Sequence, residues 1–243
     1  MQLLIEAGNT YVKVALLQVT GQVELLGKYP SKKLELVLDP ILEQKIKRIV
    51  FASVGPVEVD NTIQRIAQVA NIPVLQVKTM RKDFGVKNGY SEYQYLGVDR
   101  WLTLVAIHQQ VKRPTVIVDI GTALTFDVLN GDGKHLGGWI APGYQLMMKV
   151  VLENTTKVFS DHEHCHSLQL ADNTADGLKN GCRAALIGLI EYGLKEAREK
   201  LAVEPEVVLC GGGVRHLPVD DIKHYKHRSE LVLEGLALYA KCR

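Results

Sequence analysis

The stretch "VIVDIGTALTFDVLNGDGKHLGG", residues 116–138, repeats the pattern of the chain's own opening, "LLIEAGNTYVKVALL", residues 3–17. Both run from an apolar segment through an acid, any residue and a glycine to small polar residues and a second apolar segment. Glu6 and Gly8 precede Asp119 and Gly121 by 113 residues in a chain of 243. Because this offset is close to half the chain, the pattern indicates a duplicated unit.

The segments around the two copies predict the same order of strands and helices in each half. An apolar meander opens each half, and helical and short buried segments follow it. In the first half these are a meander over 2–29, helices over 31–48 and 59–71, strands over 49–55 and 73–77, and a helix over 97–114. In the second half they are a meander over 115–140, a helix over 174–201, a strand over 206–213 and a closing helix over 229–241.

Strands joined by crossover helices, occurring twice, predict an α/β fold of two lobes that share an interface. The first lobe is expected to span residues 1–114 and the second residues 115–243. Ligands of such lobes bind at the carboxyl ends of the strands, in the cleft between the lobes. The alternative is that acid-x-glycine is ordinary turn chemistry, since Asp and Gly favour turns.

The composition is that of a globular protein, with 47% hydrophobic and 23% charged residues. A balance of 29 Lys and Arg against 27 Asp and Glu leaves +2, too little to indicate a nucleic-acid partner. No apolar run approaches the roughly 18 residues of a membrane span, and the opening residues do not resemble a signal peptide. Four scattered cysteines without a CxxC pair fit reduced thiols. We therefore expect a cytoplasmic protein without membrane or nucleic-acid partners.

The two turns have the chemistry of phosphate-binding loops. A strand ending at Glu6 exposes consecutive backbone N–H groups around Gly8, and such a concavity binds phosphate oxygens. Lys13, on the following strand, could reach the β- or γ-phosphate of a nucleotide or could be a solvated strand residue. Glu6 and Asp119 would repel phosphates unless hard cations such as Mg²⁺ lay between them. These features are typical of phosphoryl transfer.

Asp99 precedes a predicted helix and follows Gly97. An ionised carboxylate there could accept the proton of a primary hydroxyl, and Arg100 beside it could hold a substrate carboxylate. The alternative is a plain N-cap aspartate followed by a solvent-facing arginine.

Six segments in order, "IEAGNT", "NGYSEYQYLGVDRW", "VDIGTALTFDVL", "GGWIAPG", "NTADGLKNG" and "LCGGGV", resemble the type III pantothenate kinases. They extend over residues 1 to about 214. The resemblance implies duplicated ribonuclease H-like lobes of the actin-like, Hsp70-like and sugar-kinase-like ATPases, each a mixed sheet flanked by helices. It also implies ATP-dependent phosphorylation of pantothenate, the first step of coenzyme A synthesis. The expected cofactors are ATP with Mg²⁺ and a monovalent cation, K⁺ or NH₄⁺, and the expected assembly is a homodimer with the substrate pocket at the subunit interface.

The resemblance also assigns roles to individual residues. Asp99 would be the proton acceptor, Asp119 would hold the monovalent cation, and Glu6 would hold Mg²⁺ through water. The ATP-binding residues would be Glu6, Ala7, Gly8, Asn9, Thr10, Tyr11, Val12, Lys13, Thr122, Gly211, Gly212 and Gly213. The pantothenate-binding residues would be Tyr90, Gly97, Val98, Asp99, Arg100 and Thr174.

Two features do not follow directly from the resemblance. The family's first motif usually begins with Asp, whereas this chain has Glu6, whose extra methylene changes the expected Mg²⁺ geometry. The run "DHEHCH", residues 161–166, alternates three histidines that could take up Zn²⁺, although its spacing matches no common structural zinc pattern. We expect a solvated loop there.

Two other functions stay open at this point. One is another kinase of the superfamily, for sugars or acetate, although the chain is short for those. The other is a non-catalytic ATP-binding regulator of the kind called Bvg accessory factors. The presence of Asp99 and Asp119 favours a catalyst, whereas Glu6 in place of Asp keeps the regulator open.

Overall fold

The computed structural model describes residues 1–42, 45–160 and 168–242. The chain divides into two compact units. The first comprises Met1–Gln110 together with Glu230–Arg243, and the second comprises Val111–Ser229. In the described residues, no helix is long and apolar enough to cross a membrane.

The first unit contains a mixed five-stranded sheet in the order β3-β2-β1-β4-β5. β1 pairs antiparallel with β2 and parallel with β4. The strands are β1 Gln2–Ala7, β2 Tyr11–Leu17, β3 Val23–Pro30, β4 Ile49–Ser53 and β5 Val74–Gln76, with a small hairpin of β6 Lys82–Asp83 and β7 Val86–Lys87. The helices are α1 Leu34–Leu42, α2 Val57–Val69 and α3 Val98–Gln110.

The second unit repeats this topology, with a sheet in the order β10-β9-β8-β11-β12. Its strands are β8 Thr115–Ile120, β9 Ala123–Leu129, β10 His135–Pro142, β11 Glu206–Cys210 and β12 Lys226–His227. Its helices are α4 Tyr144–Asn154, α5 Thr174–Leu201 and α6 Val219–Ile222, and the chain ends with α7 Leu231–Cys242. Because the two strand orders correspond one to one, the predicted α/β duplication is confirmed.

The central strand of the first sheet is buried on both faces, which explains its continuous apolar sequence. Leu3 and Ile5 of β1 belong to one core cluster, which includes residues of α1 and α2. Leu4, between them, belongs to a second cluster with residues of α3 and α7. Side chains alternate between the faces of a strand, so β1 contributes to both layers.

The closing helix packs within the first unit, although the sequence-based division at residue 114 groups it with the second. A Cβ on Gly235 of α7 would lie 2.5 Å from the Leu102 carbonyl oxygen of α3, so only glycine allows this approach. The indole N–H of Trp101 donates to the Tyr239 hydroxyl at 2.9 Å. The close backbone approach at Gly235 and the hydrogen bond between Trp101 and Tyr239 together hold α7 against α3.

Three helical segments differ from the sequence prediction, among them the four-residue helix α6, which was not predicted. The helix expected over 31–48 is a 3-10 turn over Ser31–Lys33 followed by α1, and residues 45–48 are not helical. Pro40 lies inside α1, where its missing N–H and its ring weaken the helix. Helix α4 was not predicted, because it begins after Gly143 without a side-chain cap to mark its start.

Asp127, which the sequence left outside the site, forms a buried hydrogen bond with His135. His135 Nε2 lies 2.8 Å from Asp127 Oδ1, and the two side chains are 0% and 1% exposed. The residues lie on the neighbouring strands β9 and β10, so their contact connects the two strands of this hairpin in the interior of the unit.

We predict that Asp127→Ala lowers the free energy of unfolding by about 1–3 kcal/mol, because it removes the buried carboxylate that the His135 ring nitrogen contacts. Urea denaturation measures the change. The control is Asp132→Ala, an exposed carboxylate in the turn of the same hairpin, for which we expect a change within about 0.5 kcal/mol. Equal stabilities of the two variants would contradict the prediction.

Candidate functional site

The first acidic turn connects β1 to β2. The Gly8 amide donates to the Tyr11 carbonyl at 2.9 Å, which closes the turn over Asn9 and Thr10. Glu6 and Lys13 are directly paired across the two strands, so their side chains project from the same face of the sheet. The turn therefore presents an acid and a base together.

Lys13 lies between two carboxylates. Its Nζ is 3.6 Å from Glu6 Oε2 and 3.1 Å from Glu230 Oε2. All three side chains are partly buried, with exposures of 22% for Glu6, 18% for Lys13 and 27% for Glu230. Partial burial strengthens such pairs relative to fully exposed ones. The structure thus excludes the solvated alternative for Lys13.

Sequence reasoning missed Glu230. It lies 217 residues from Lys13, directly before α7, and no motif marks it. The Glu234 amide donates to the Glu230 carbonyl at 2.9 Å, so Glu230 forms part of the helix start. The packing of α7 in the first unit fixes its position.

The second acidic turn, between β8 and β9, is tighter. The Gly121 amide donates to the Ala123 carbonyl at 2.9 Å, so the turn is one residue shorter than the first. The Gly143 amide donates to the Thr122 carbonyl at 2.9 Å, which ties the start of α4 to the turn. Asp119, near the end of β8, is partly buried and lies opposite Thr125 and Cys210 of the neighbouring strands.

In both units, a glycine after the parallel neighbour strand lies against the acidic segment. A Cβ on Gly55, after β4, would lie 2.6 Å from the Gly8 carbonyl oxygen. A Cβ on Gly211, after β11, would overlap Asp119 Oδ1 and the Ile120 carbonyl, and its φ of +84° is itself a glycine conformation. A Cβ on Gly213 would lie 2.6 Å from Ile120 Cγ2. The structure therefore brings the glycine run 211–213 together with Asp119.

The predicted substrate motif forms the start of α3. Asp99 lies in the first turn, where the helix dipole favours a carboxylate, and its Oδ1 accepts the Arg100 amide at 2.8 Å. Arg100 is only 5% exposed, and its Nη1 donates to the Tyr90 hydroxyl at 2.8 Å. The solvent-facing alternative for Arg100 is therefore wrong. Tyr90, Gly97, Asp99 and Arg100 form one group.

Thr174 is the exposed first residue of α5. The preceding Asn173 caps the helix, because its side chain accepts the Asp176 amide at 2.9 Å. The "DHEHCH" run lies outside the described residues. Across 1–42, 45–160 and 168–242, no group of three His, Cys, Asp or Glu could hold a metal ion.

Comparison with known proteins agrees with these motifs. Residues 2–196 match the family model described as type III pantothenate kinase. The type III pantothenate kinase of Idiomarina loihiensis is 35% identical over 257 residues, covering 98% of this chain and 98% of that protein. The chain belongs to the type III pantothenate kinase family.

Solved structures show the same fold at lower identity. A Campylobacter jejuni protein assigned to the Baf family of transcriptional activators superposes with a TM-score of 0.62 at 22% identity, covering 98% and 97% of the two chains. A ROK family glucokinase from Streptomyces griseus, in complex with glucose and AMPPNP, gives a TM-score of 0.52 at 12% identity, covering 99% of each chain. The duplicated actin-like fold expected from the resemblance is confirmed.

Proposed function

We propose that this chain transfers the γ-phosphoryl group of ATP to the primary hydroxyl of pantothenate, the first step of coenzyme A biosynthesis. The observation that carries the proposal is the near full-length relation to type III pantothenate kinases, in a chain that keeps Asp99 and Asp119. The Baf-family likeness is a likeness of fold, and it does not favour a regulator.

Asp99 is the proposed proton acceptor. It would orient the hydroxyl and take its proton while the oxygen attacks the γ-phosphorus and ADP leaves. Its place in the first turn of α3 keeps the carboxylate in a positive local field. Because its Oδ1 already accepts the Arg100 amide at 2.8 Å, the backbone fixes the direction of the carboxylate.

Arg100 and Tyr90 are the proposed partners of the pantothenate carboxylate, with Gly97, Val98 and Thr174 completing the pocket. A guanidinium that is only 5% exposed is already desolvated, so it gives a charge-assisted bond at low reorganisation cost. The Tyr90 hydroxyl holds one edge of the guanidinium.

The segment from Glu6 to Lys13 is proposed to bind the ATP phosphates, with Thr122 and the glycines 211–213 also contacting the nucleotide. Lys13 supplies the charge, and Glu230 contacts it together with Glu6. Mg²⁺, which neutralises the phosphates when bound, would be held by Glu6 through water.

Asp119 is proposed to hold K⁺ or NH₄⁺. Its carboxylate is partly buried near the end of β8, and a Cβ on Gly211 would meet both Asp119 Oδ1 and the Ile120 carbonyl oxygen. Hard cations prefer such oxygen ligands. We also propose a cytoplasmic location, where ATP and K⁺ are abundant.

We propose a homodimer that uses the exposed face of α5. Gly177, Gly181 and Gly188 lie on one face of the helix, with open space where a Cβ would be. Tyr192 continues this face and stacks on Trp139 at 5.8 Å, and their exposures are 56% and 37%. Small residues beside exposed aromatic rings are suited to close packing with a second copy. Thr174 begins the same helix.

The function is tested by measuring ADP release with and without pantothenate. We expect release that depends on pantothenate and rises with K⁺ or NH₄⁺. ADP release that depends on glucose or acetate, and not on pantothenate, would indicate another kinase of the superfamily. No release with any of these acceptors, together with retained ATP binding, would support the regulator.

We predict that Asp99→Asn lowers kcat by about 100-fold or more, because the amide cannot accept the proton. Binding of AMPPNP, measured by calorimetry, should not change. Asp39→Asn, an exposed carboxylate of the same unit, is the control and should keep full activity. An active Asp99→Asn variant would remove Asp99 from the base role.

We predict that Asp119→Ala abolishes activation by monovalent cations, because it removes the anionic ligand. Initial rates are measured against KCl at an ionic strength kept constant with choline chloride. The variant should show the cation-free rate of the wild type at every KCl concentration. Normal activation by K⁺ would place the cation elsewhere.

We predict that Glu230→Gln raises KM for ATP about tenfold and leaves KM for pantothenate unchanged. With one carboxylate neutralised, Lys13 is drawn to Glu6, and a charged hydrogen bond of this kind is worth roughly 1.5–3 kcal/mol. Glu234→Gln is the matched control, because Glu234 lies in the first turn of the same helix and accepts from Gln110 at 2.8 Å. An equal KM effect in both variants would assign Glu230 a purely structural role.

We predict that Gly181→Arg produces monomers in sedimentation equilibrium. The substitution should not unfold the chain, because no atom lies within 4 Å of the added Cβ and arginine is a better helix former than glycine. Glu58→Arg, at an exposed position of α2 in the first unit, should leave the assembly unchanged. A dimeric Gly181→Arg variant would exclude this face.

A further inference from the structure

A cavity of about 480 Å³ lies between α4 and α5 in the second unit. None of the residues that line it has a part in the reaction proposed above. The residues that matter here are Tyr144, Met148, Leu152, Lys179, Arg183 and His216. The volume falls within the range typical of small-molecule sites. The cavity lies on the buried side of α5, and the proposed dimer face lies on its exposed side.

Within the described part of the chain, Arg183 is buried without an ion-pair partner. It is 2% exposed, and its Nε donates to the His216 carbonyl at 3.0 Å while its Nη1 donates to Asn180 Oδ1 at 3.2 Å. Both acceptors are neutral, and no carboxylate of the described chain segments pairs with this guanidinium. A buried charge of this kind is costly and is normally balanced by an opposite charge.

Among the described residues, this corner of the cavity carries the two cations Lys179 and Arg183 and one nearby carboxylate, Asp176. Lys179, 4% exposed, lies 3.6 Å from Asp176 Oδ1, so the nearby carboxylate is already shared with one cation. Burial raises the pKa of the Tyr144 phenol and of the Cys182 thiol, so both groups are neutral near pH 7. At the mouth, Glu153 is exposed and lies 3.6 Å from Lys149.

The walls favour a ligand with a flat or apolar body. The rings of Tyr144 and His216 stack with centroids 4.4 Å apart, and the Arg183 guanidinium lies 5.4 Å from the Tyr144 ring centre. Met148 and Leu152 add apolar surface from α4. A guanidinium fork matches the two oxygens of a carboxylate or phosphate, and the walls match an attached ring or short alkyl chain.

We propose that this cavity is a second binding site, specific for a small organic anion whose carboxylate or phosphate group pairs with Arg183. None of these six residues is among those assigned to ATP or pantothenate, although His216 ends the 3-10 helix that begins at Gly212. The proposal does not depend on the proposed reaction, because it rests on the charge and shape of the cavity.

Calorimetry with benzoate and phenyl phosphate tests the proposal, with benzyl alcohol as the neutral control. Saturating AMPPNP and pantothenate are present, so that the groups proposed for the substrates are occupied. We expect at least one anion to bind with 1:1 stoichiometry per chain and benzyl alcohol not to bind. The anion that binds more tightly shows whether the site prefers a carboxylate or a phosphate group. If neither anion binds, or if benzyl alcohol binds equally well, the proposal is overturned.

Variants locate the binding. Arg183→Lys keeps the buried charge and removes the fork, and we expect affinity to fall at least tenfold. Met148→Trp places a larger side chain in the cavity without changing the charge of the site, and we expect it to abolish binding. Arg198→Lys is the matched control, because Arg198 lies on α5 outside the cavity and pairs with Glu204. Binding unchanged in Arg183→Lys and Met148→Trp, with both folded by circular dichroism, would refute the site.

Discussion

The close approach of glycine backbone to the end of a central strand is the constraint on which both units depend. Gly55 lies against the Gly8 carbonyl, and Gly211 lies against Asp119 and Ile120. Any side chain at these positions would push the parallel neighbour strand away from the acidic turn. Each turn therefore keeps its shape only because the chain leaving the neighbouring strand has no Cβ.

Local patterns predicted most of the elements, because strand alternation and helical spacing are short-range signals. The two meanders, α2, α3, α5 and α7 all lie where the sequence places them. The exceptions have physical causes: Pro40 accompanies a shorter α1, and α4 begins at Gly143 without a capping side chain. The unit to which α7 belongs was not predictable from spacing, because it is decided by contacts such as Gly235 with Leu102, between residues far apart in sequence.

The candidate site was predictable where its residues share a motif. Glu6 and Lys13 are seven residues apart, and two paired strands turn that spacing into direct contact. Tyr90 and Arg100 are ten residues apart in one motif, and the start of α3 brings them into contact. Glu230 reaches Lys13 from the far end of the chain, and Arg183 lies within a long helix that also carries exposed charges. In the sequence alone, neither differs from a solvated charge.

The last helix also has a consequence for synthesis on the ribosome. Val232, Leu236 and Tyr239 cover apolar residues of the first sheet, among them Leu4 and Val50, which are made first. The second unit is complete in the nascent chain before that cover exists, so one face of the first sheet stays exposed until α7 has been made. A chain lacking α7 would thus be prone to aggregation, although every residue assigned a catalytic role would already be present.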